Sequence, residues 1–162
     1  MTAPRDPSAR YLEDVHPGDS FECGSVTMDR ADMIAFAARF DPQPMHTDPA
    51  EAARGPFGGL IASGWHTAAV VMRLFVEAHP MGVTPLIGMS VDSIRWPLPV
   101  RPGDTLRTSV QVLSVRPSQS RPDHGILKLR VTTRNQRGET VMVQEPNCWV
   151  PRRPTSVLRR AK

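Results

Sequence analysis

The run Asp41-Pro42-Gln43-Pro44-Met45-His46-Thr47-Asp48-Pro49 gathers the side chains in this sequence best suited to moving a proton. A carboxylate and an imidazole stand five positions apart in a segment that three prolines stiffen. Such a pair can hold one water, deprotonate it from one side and return a proton from the other. Preset loop geometry counts because positioning supplies much of a catalytic advantage. The same residues also have a purely structural use, in which Asp41 ends the preceding helix and His46 is a surface side chain. A second cluster, Ile61-Ala62-Ser63-Gly64-Trp65, stands where a long apolar helix begins. Amide N–H groups at a helix N-terminus can donate to a developing oxyanion, and Gly64 has no side chain to block the approach. Its plain alternative is a glycine needed for close packing. Ser63 is not in a G-x-S-x-G elbow, so it reads as a helix cap rather than a nucleophile. Trp65 and His66 are expected to line or plug a cavity. A metal set of Asp41, His46, Asp48 and His66 is conceivable, but the spacing matches no familiar ligand pattern, so no metal is expected.

The elements that position these residues can be read from periodicity. A strand is expected over residues 20–26, with Thr27 as the cap of the following helix and Asp29 and Asp32 in its first turn. Met33, Phe36, Ala37 and Phe40 recur at helical spacing and predict an amphipathic helix that Pro42 stops. Asp41 to Pro49 is expected to be a stiff loop, after which Asp48 can cap a short turn over residues 51–54. A second helix is predicted over residues 63–78, apolar almost all round and therefore buried on most faces. Beyond Pro80 the period changes to two, with strands over residues 86–96, 105–115, 126–134 and 139–150. Pro146 interrupts the last of these and predicts a bulge or an edge there. One apolar helix followed by four antiparallel strands packs as an α+β domain, the sheet curling around the helix.

Length and composition set the outer bounds. A chain of 162 residues with 40% hydrophobic and 22% charged side chains is sized for one globular domain. The expected division is an irregular segment over residues 1–18, one domain over 19–150 and a basic tail over 151–162. The net charge of +4 sits in that tail, since residues 1–150 carry 15 basic and 16 acidic side chains. A nearly neutral body with few aromatic residues offers no stripe for nucleic acid, and the tail reads as a solvated end. The first ten residues carry no apolar run, and no later stretch is long enough to span a bilayer, so a cytoplasmic protein without a secretory signal is expected. Cys23 and Cys148, with no His at metal-ligand spacing, read as buried reduced thiols.

Asp41, Pro44, His46 and Asp48, with Phe57-Gly58-Gly59-Leu60-Ile61-Ala62 and then Gly64 downstream, resemble the MaoC-like acyl dehydratases. That family includes the (R)-specific enoyl-CoA hydratases, and its loop motif runs D-x-N-P-x-H-x-D. The resemblance covers about residues 10–150. It implies a hotdog fold, an antiparallel sheet wrapped round a long central helix. It also implies a homodimer, open to further pairing into a dimer of dimers, with acyl-CoA at the junction of two subunits. In its terms Asp41 and His46 activate a water, and the Gly64 N–H polarises the thioester carbonyl. Ser63 and Trp65 lie beside the substrate, and no cofactor is needed beyond the CoA thioester itself. Two positions depart from the pattern. Gln43 stands for the motif's Asn, in the support of the Asp–His pair, and Trp65 is bulkier than the expected Met or Leu and would shorten the acyl pocket. The expectation is an acyl-CoA hydratase/dehydratase. An acyl-CoA thioesterase of the same fold, or a non-catalytic acyl-CoA-binding subunit, are the alternatives.

Overall fold

The computed structural model describes residues 8–154. Five antiparallel strands form one sheet: β1 (Ser20–Thr27), β2 (Ile87–Arg95), β3 (Thr105–Pro117), β4 (His124–Arg134) and β5 (Thr140–Pro151), in the order β1-β3-β4-β5-β2. Alternation gives the sheet two unlike faces. Leu106, Val110 and Val112 of β3 and Leu127, Leu129 and Val131 of β4 all turn inward and are buried. On the outer face Lys128 pairs with Asp92 at 2.9 Å and Arg130 with Glu145 at 2.9 Å. Exposed pairs of this kind contribute little to stability, so the inward apolar residues hold the sheet together. Pro146 lies on an interior strand rather than an edge. It sits opposite Val91, where the β2–β5 register slips before Ile94, so the bulge accommodates its missing N–H.

Helix α4 (Gly64–Glu77) follows from that apolar face. Val71, Leu74 and Phe75 enter the same core as Val110, Val112, Leu129 and Val131. Burial of each such side chain is worth roughly 1.5–3 kcal/mol. The helix is less enclosed than its composition predicts, because the sheet covers only one side. Trp65, Met72 and Val76 project outward and are exposed.

The segments between β1 and α4 also differ from expectation in three places. The cap of α1 (Arg30–Phe40) is Asp29, whose carboxylate accepts from the N–H groups of Ala31 and Asp32, while Thr27 ends β1. Phe40 is 60% exposed, since the helix ends at that residue, and its ring lies against Phe36 and the Arg39 guanidinium. The expected loop contains a short helix, α2 (Pro44–Thr47), begun by Pro44 at a position that needs no N–H. Asp48 then caps α3 (Pro49–Arg54) by accepting from the N–H groups of Ala50 and Glu51.

The ends of the described chain meet. Arg152 donates to Glu13 at 3.0 Å and the Arg153 guanidinium lies over the Tyr11 ring, so the first residues of the basic tail are tied down rather than free. The rest of that tail, residues 155–162, and residues 1–7 lie outside the described residues. Among the described residues no helix is long and apolar enough to cross a membrane. Cys23 and Cys148 are both buried and free, and burial pushes both thiols to about 11.

Candidate active site

Asp41 stands at the end of α1, its N–H bonded to the Ala37 carbonyl and its side chain turned towards the start of α4. Both of its oxygens are held. The Gln43 amide donates to Oδ1 at 2.7 Å and the Ser63 hydroxyl donates to Oδ2 at 2.7 Å. The Gln43 bond, the Ser63 bond and the nearby His46 ring together hold the carboxyl below its usual range, against the opposing effect of burial. Gln43, the departure from the motif, therefore still brings an amide to the carboxylate. The sequence carried no sign that the longer side chain could do so.

His46 is buried on α2, because the turn begun at Pro44 rotates the ring inward. Its Nδ1 lies 3.0 Å from the Ile61 carbonyl. A carbonyl only accepts, so Nδ1 carries the hydrogen, and a neutral ring presents the Nε2 lone pair. That Nε2 points at Asp41 Oδ2, 3.4 Å away. Two acceptors at this distance cannot bond each other directly. A water beside them can donate one hydrogen to Nε2 and the other to the carboxylate. Residues 60–62 hold this register, since Ile61 donates to the Met45 carbonyl and Ala62 to the Val100 carbonyl.

Gly64 is the first residue of α4 and has no partner for its N–H within the helix. It shares with Asp41 and His46 a cavity of about 290 Å³ whose walls include Ile61, Ala62, Trp65 and Trp96. The partial positive charge at the start of a helix favours an oxygen that gains negative charge there. The cavity thus combines an imidazole and a carboxylate with an amide donor. That arrangement suits addition of water to, or its removal from, a carbon chain conjugated to a carbonyl.

The structure brings Asp41, His46, Ser63, Gly64 and Trp65 to one place. Ser63 is fully buried and acts as the α4 cap, its oxygen accepting from the Trp65 N–H while its hydrogen goes to Asp41. Trp65 stands at the cavity rim with most of its ring in solvent. Asp48 is used as the α3 cap, and the His66 ring lies on Phe36 with centroids 4.7 Å apart. Neither joins Asp41 and His46, so the conceivable four-residue metal set does not assemble. Burial lowers the pKa of His66, against an opposing effect of Asp32. Two contributors were not expected from sequence. The Ile61 carbonyl has no side-chain signature at all. Trp96 had one available, as one of only three tryptophans, placed directly before Pro97-Leu98-Pro99.

Comparison with known proteins bears on this geometry. The model of the MaoC like domain matches residues 10–135. The crystal structure of a MaoC-like dehydratase from Rhodospirillum rubrum is 44% identical and superposes with a TM-score of 0.80, over 89% of this chain and 98% of that one. Its sheet and helix arrangement is the hotdog fold found here. The uncharacterized protein YdeM of Bacillus subtilis is 34% identical over 141 residues, which cover 87% of this chain and 99% of that protein. The 3-hydroxyacyl-thioester dehydratase Z of Mycobacterium tuberculosis is 36% identical over 92 residues, covering 56% of this chain and 61% of that protein.

Proposed function

Because this chain belongs to the MaoC-like dehydratase family, we propose that it is an acyl-CoA hydratase/dehydratase acting through the Asp41–His46 pair. The reaction is reversible syn hydration of a trans-2-enoyl-CoA to the (R)-3-hydroxyacyl-CoA. The observation that carries the reading is the 3.4 Å approach of His46 Nε2 to Asp41 Oδ2, inside a cavity that also holds the Gly64 amide. A relative named as a 3-hydroxyacyl-thioester dehydratase supports the substrate class.

The chemistry follows from the donors and acceptors. The thioester carbonyl oxygen accepts from the Gly64 N–H, which draws electrons towards that oxygen and leaves C3 electrophilic. Water, oriented by Asp41, forms its O–C3 bond as one of its protons passes to His46 Nε2. The C2–C3 π pair becomes the enolate, and the proton then moves from the Asp–His pair to C2. One water has been added, and both of its parts arrive on the same face. No cofactor takes part beyond the CoA thioester substrate, and a cytoplasmic setting is in keeping with such a substrate.

A homodimer completes the reading. β2 is an edge strand whose Ile87, Met89 and Val91 are exposed, and Met89 and Val91 line an open apolar cavity together with Met72 and Val76 of α4. At the other edge, β1 is broken by a bulge at Gly24. An apolar edge left bare invites pairing, and a second copy of the same strand meets its requirements.

The test uses crotonyl-CoA with wild type, Asp41→Asn, His46→Gln and the double variant. Loss of enoyl absorbance without thiol release is expected for wild type. Each single variant should lose about 10²–10⁴-fold in turnover. The double variant should lose much less than the product of the two, because both groups act on one water. Single variants that stay within a few-fold of wild type would refute the pair. Free thiol without hydration would point to the thioesterase, and binding with neither reaction to the non-catalytic subunit.

A further inference from the structure

Trp96 lies where no motif residue was expected, and its placement bears on which substrates the cavity takes. A β-carbon built on Gly64 would fall 2.8 Å from Cε2 of the Trp96 indole. Two carbons essentially never approach so closely without a bond, so the indole lies in direct contact with the Gly64 backbone. Trp65, the next residue, meets the same indole edge-on at 5.5 Å between ring centroids. The two tryptophans differ in exposure. Trp65 is 60% exposed and stands at the rim, whereas Trp96 is 37% exposed and forms a wall.

We propose that Trp96 sets the length of the acyl chain, closing the cavity beside Gly64 so that it takes short enoyl thioesters of crotonyl size. This rests on the hydratase reading for the identity of the thioester. Three observations carry the assignment. A carbonyl oxygen that reaches the Gly64 amide places its neighbouring atoms against the indole, because the indole already touches Gly64. The remaining wall is apolar, formed by Ile61, Ala62, Leu98 and Val100, which suits an alkyl chain better than the amides of a pantetheine arm. In a single chain the cavity measures about 290 Å³, just below the roughly 300–1,000 Å³ that ligand sites span.

The wall is also braced. Trp96 opens the segment Pro97-Leu98-Pro99, whose prolines restrict the backbone. The far end of that segment is tied by the Ala62 N–H to the Val100 carbonyl at 2.8 Å and by the Arg101 N–H to Asp104 at 2.8 Å. An indole on a pinned segment cannot swing aside as readily as one on a free loop. The bulky Trp65 that departs from the family pattern is, on this view, a rim residue with little say in chain length.

The test compares wild type, Trp96→Leu, Trp96→Phe and Trp65→Ala. Butyryl-CoA and octanoyl-CoA, which are saturated and cannot be hydrated, are titrated calorimetrically. In parallel, kcat/KM is measured for crotonyl-CoA and trans-2-octenoyl-CoA. Apolar pockets discriminate by roughly 10–200-fold per methylene admitted or refused. Trp96→Leu should therefore move the octanoyl-to-butyryl preference by at least about tenfold towards the longer chain. Trp96→Phe should move it by less, and Trp65→Ala should stay within about threefold. Circular dichroism confirms that each variant folds, and Trp96→Phe carries the test should Trp96→Leu not fold. A preference unchanged in both Trp96 variants overturns the proposal, as does an equal shift in Trp65→Ala. If wild type hydrates nothing yet the binding preference moves with Trp96, the wall stands and only the hydratase reading falls.

Discussion

Ser63→Ala removes one hydroxyl that serves two partners, and its effects on stability and on pH can be separated. The oxygen accepts from the Trp65 N–H at 3.2 Å as the cap of α4, and the hydrogen is donated to Asp41 at 2.7 Å. Loss of the cap costs about 1 kcal/mol. Loss of a hydrogen bond to a charged acceptor costs about 1.5–3 kcal/mol more. For a domain of this size each kcal/mol lowers Tm by roughly 2–4 °C, so a fall of roughly 5–15 °C is expected. The pH effect has its own sign. Asp41 is held below its usual carboxylate range, first by Gln43 and then by Ser63. Its ionisation therefore stabilises the fold above the unfolded-state pKa, and that contribution is lost as pH falls through the folded-state value. Without the hydroxyl the folded value rises, so the acid limb of kcat/KM for crotonyl-CoA should move to higher pH. Ser63→Gly provides the control, since glycine costs only a few tenths of a kcal/mol as a cap. It should melt higher than Ser63→Ala yet show the same movement of the acid limb. An acid limb that stays in place in both variants while Tm falls would refute the Ser63–Asp41 link and leave Ser63 a cap alone.

Two further perturbations address the other parts of the site and its surroundings. Gly64→Ala keeps the backbone N–H but drives a methyl group against Trp96, so kcat/KM for crotonyl-CoA should fall by at least about tenfold and recover in part in a Trp96→Leu background; equal activity of the single and double variants would exclude the clash as the cause. Met89→Lys puts a charge in the exposed apolar edge of β2, and light scattering should show a dimeric wild type become monomeric with its circular dichroism preserved; a variant as dimeric as wild type would show that this edge is not the interface.

What could be read from the sequence, and what could not, divides along physical lines. The strands of the second half were legible because alternation depends on neighbours two positions apart, and β3 and β4 bury the residues that the pattern selects. The cap at Asp48 was legible for the same reason, since an Asx side chain bonds N–H groups two and three residues on. Asp29 was misassigned to the first turn because Thr27, Asp29 and Asp32 are all competent near a helix start. The burial of His46 was not legible. It depends on Pro44 starting a single helical turn, which four residues cannot advertise by periodicity. The Ile61 carbonyl and the Trp96 indole come from distant segments, and no local pattern reports a contact across the fold. The outward face of α4 stands bare in a single chain because one sheet covers only one side of a helix, and its Met72 and Val76 belong to the face that the proposed dimer covers.

The surroundings of Asp41 and His46 suit the separate duties that the proposed reaction gives them. Asp41 sits at the C-terminal end of α1, where the helix dipole disfavours negative charge. A carboxylate there would be drawn towards its protonated form. Two donors offset that tendency: the Gln43 amide, two residues on, and the Ser63 hydroxyl at the start of α4. The result is a carboxylate that stays ionised, holds a fixed direction and has its pKa depressed. A depressed carboxylate is a poor proton acceptor but a good partner for orienting a water's second hydrogen. In the proposed reaction the proton goes instead to His46. Its Nδ1–H is committed to the Ile61 carbonyl, which aims the Nε2 lone pair at the same point in the cavity. The junction of one helix end with another thus separates the two duties. In the proposed reaction one group orients the water while the other takes its proton, with the Gly64 amide on the third side of the same cavity.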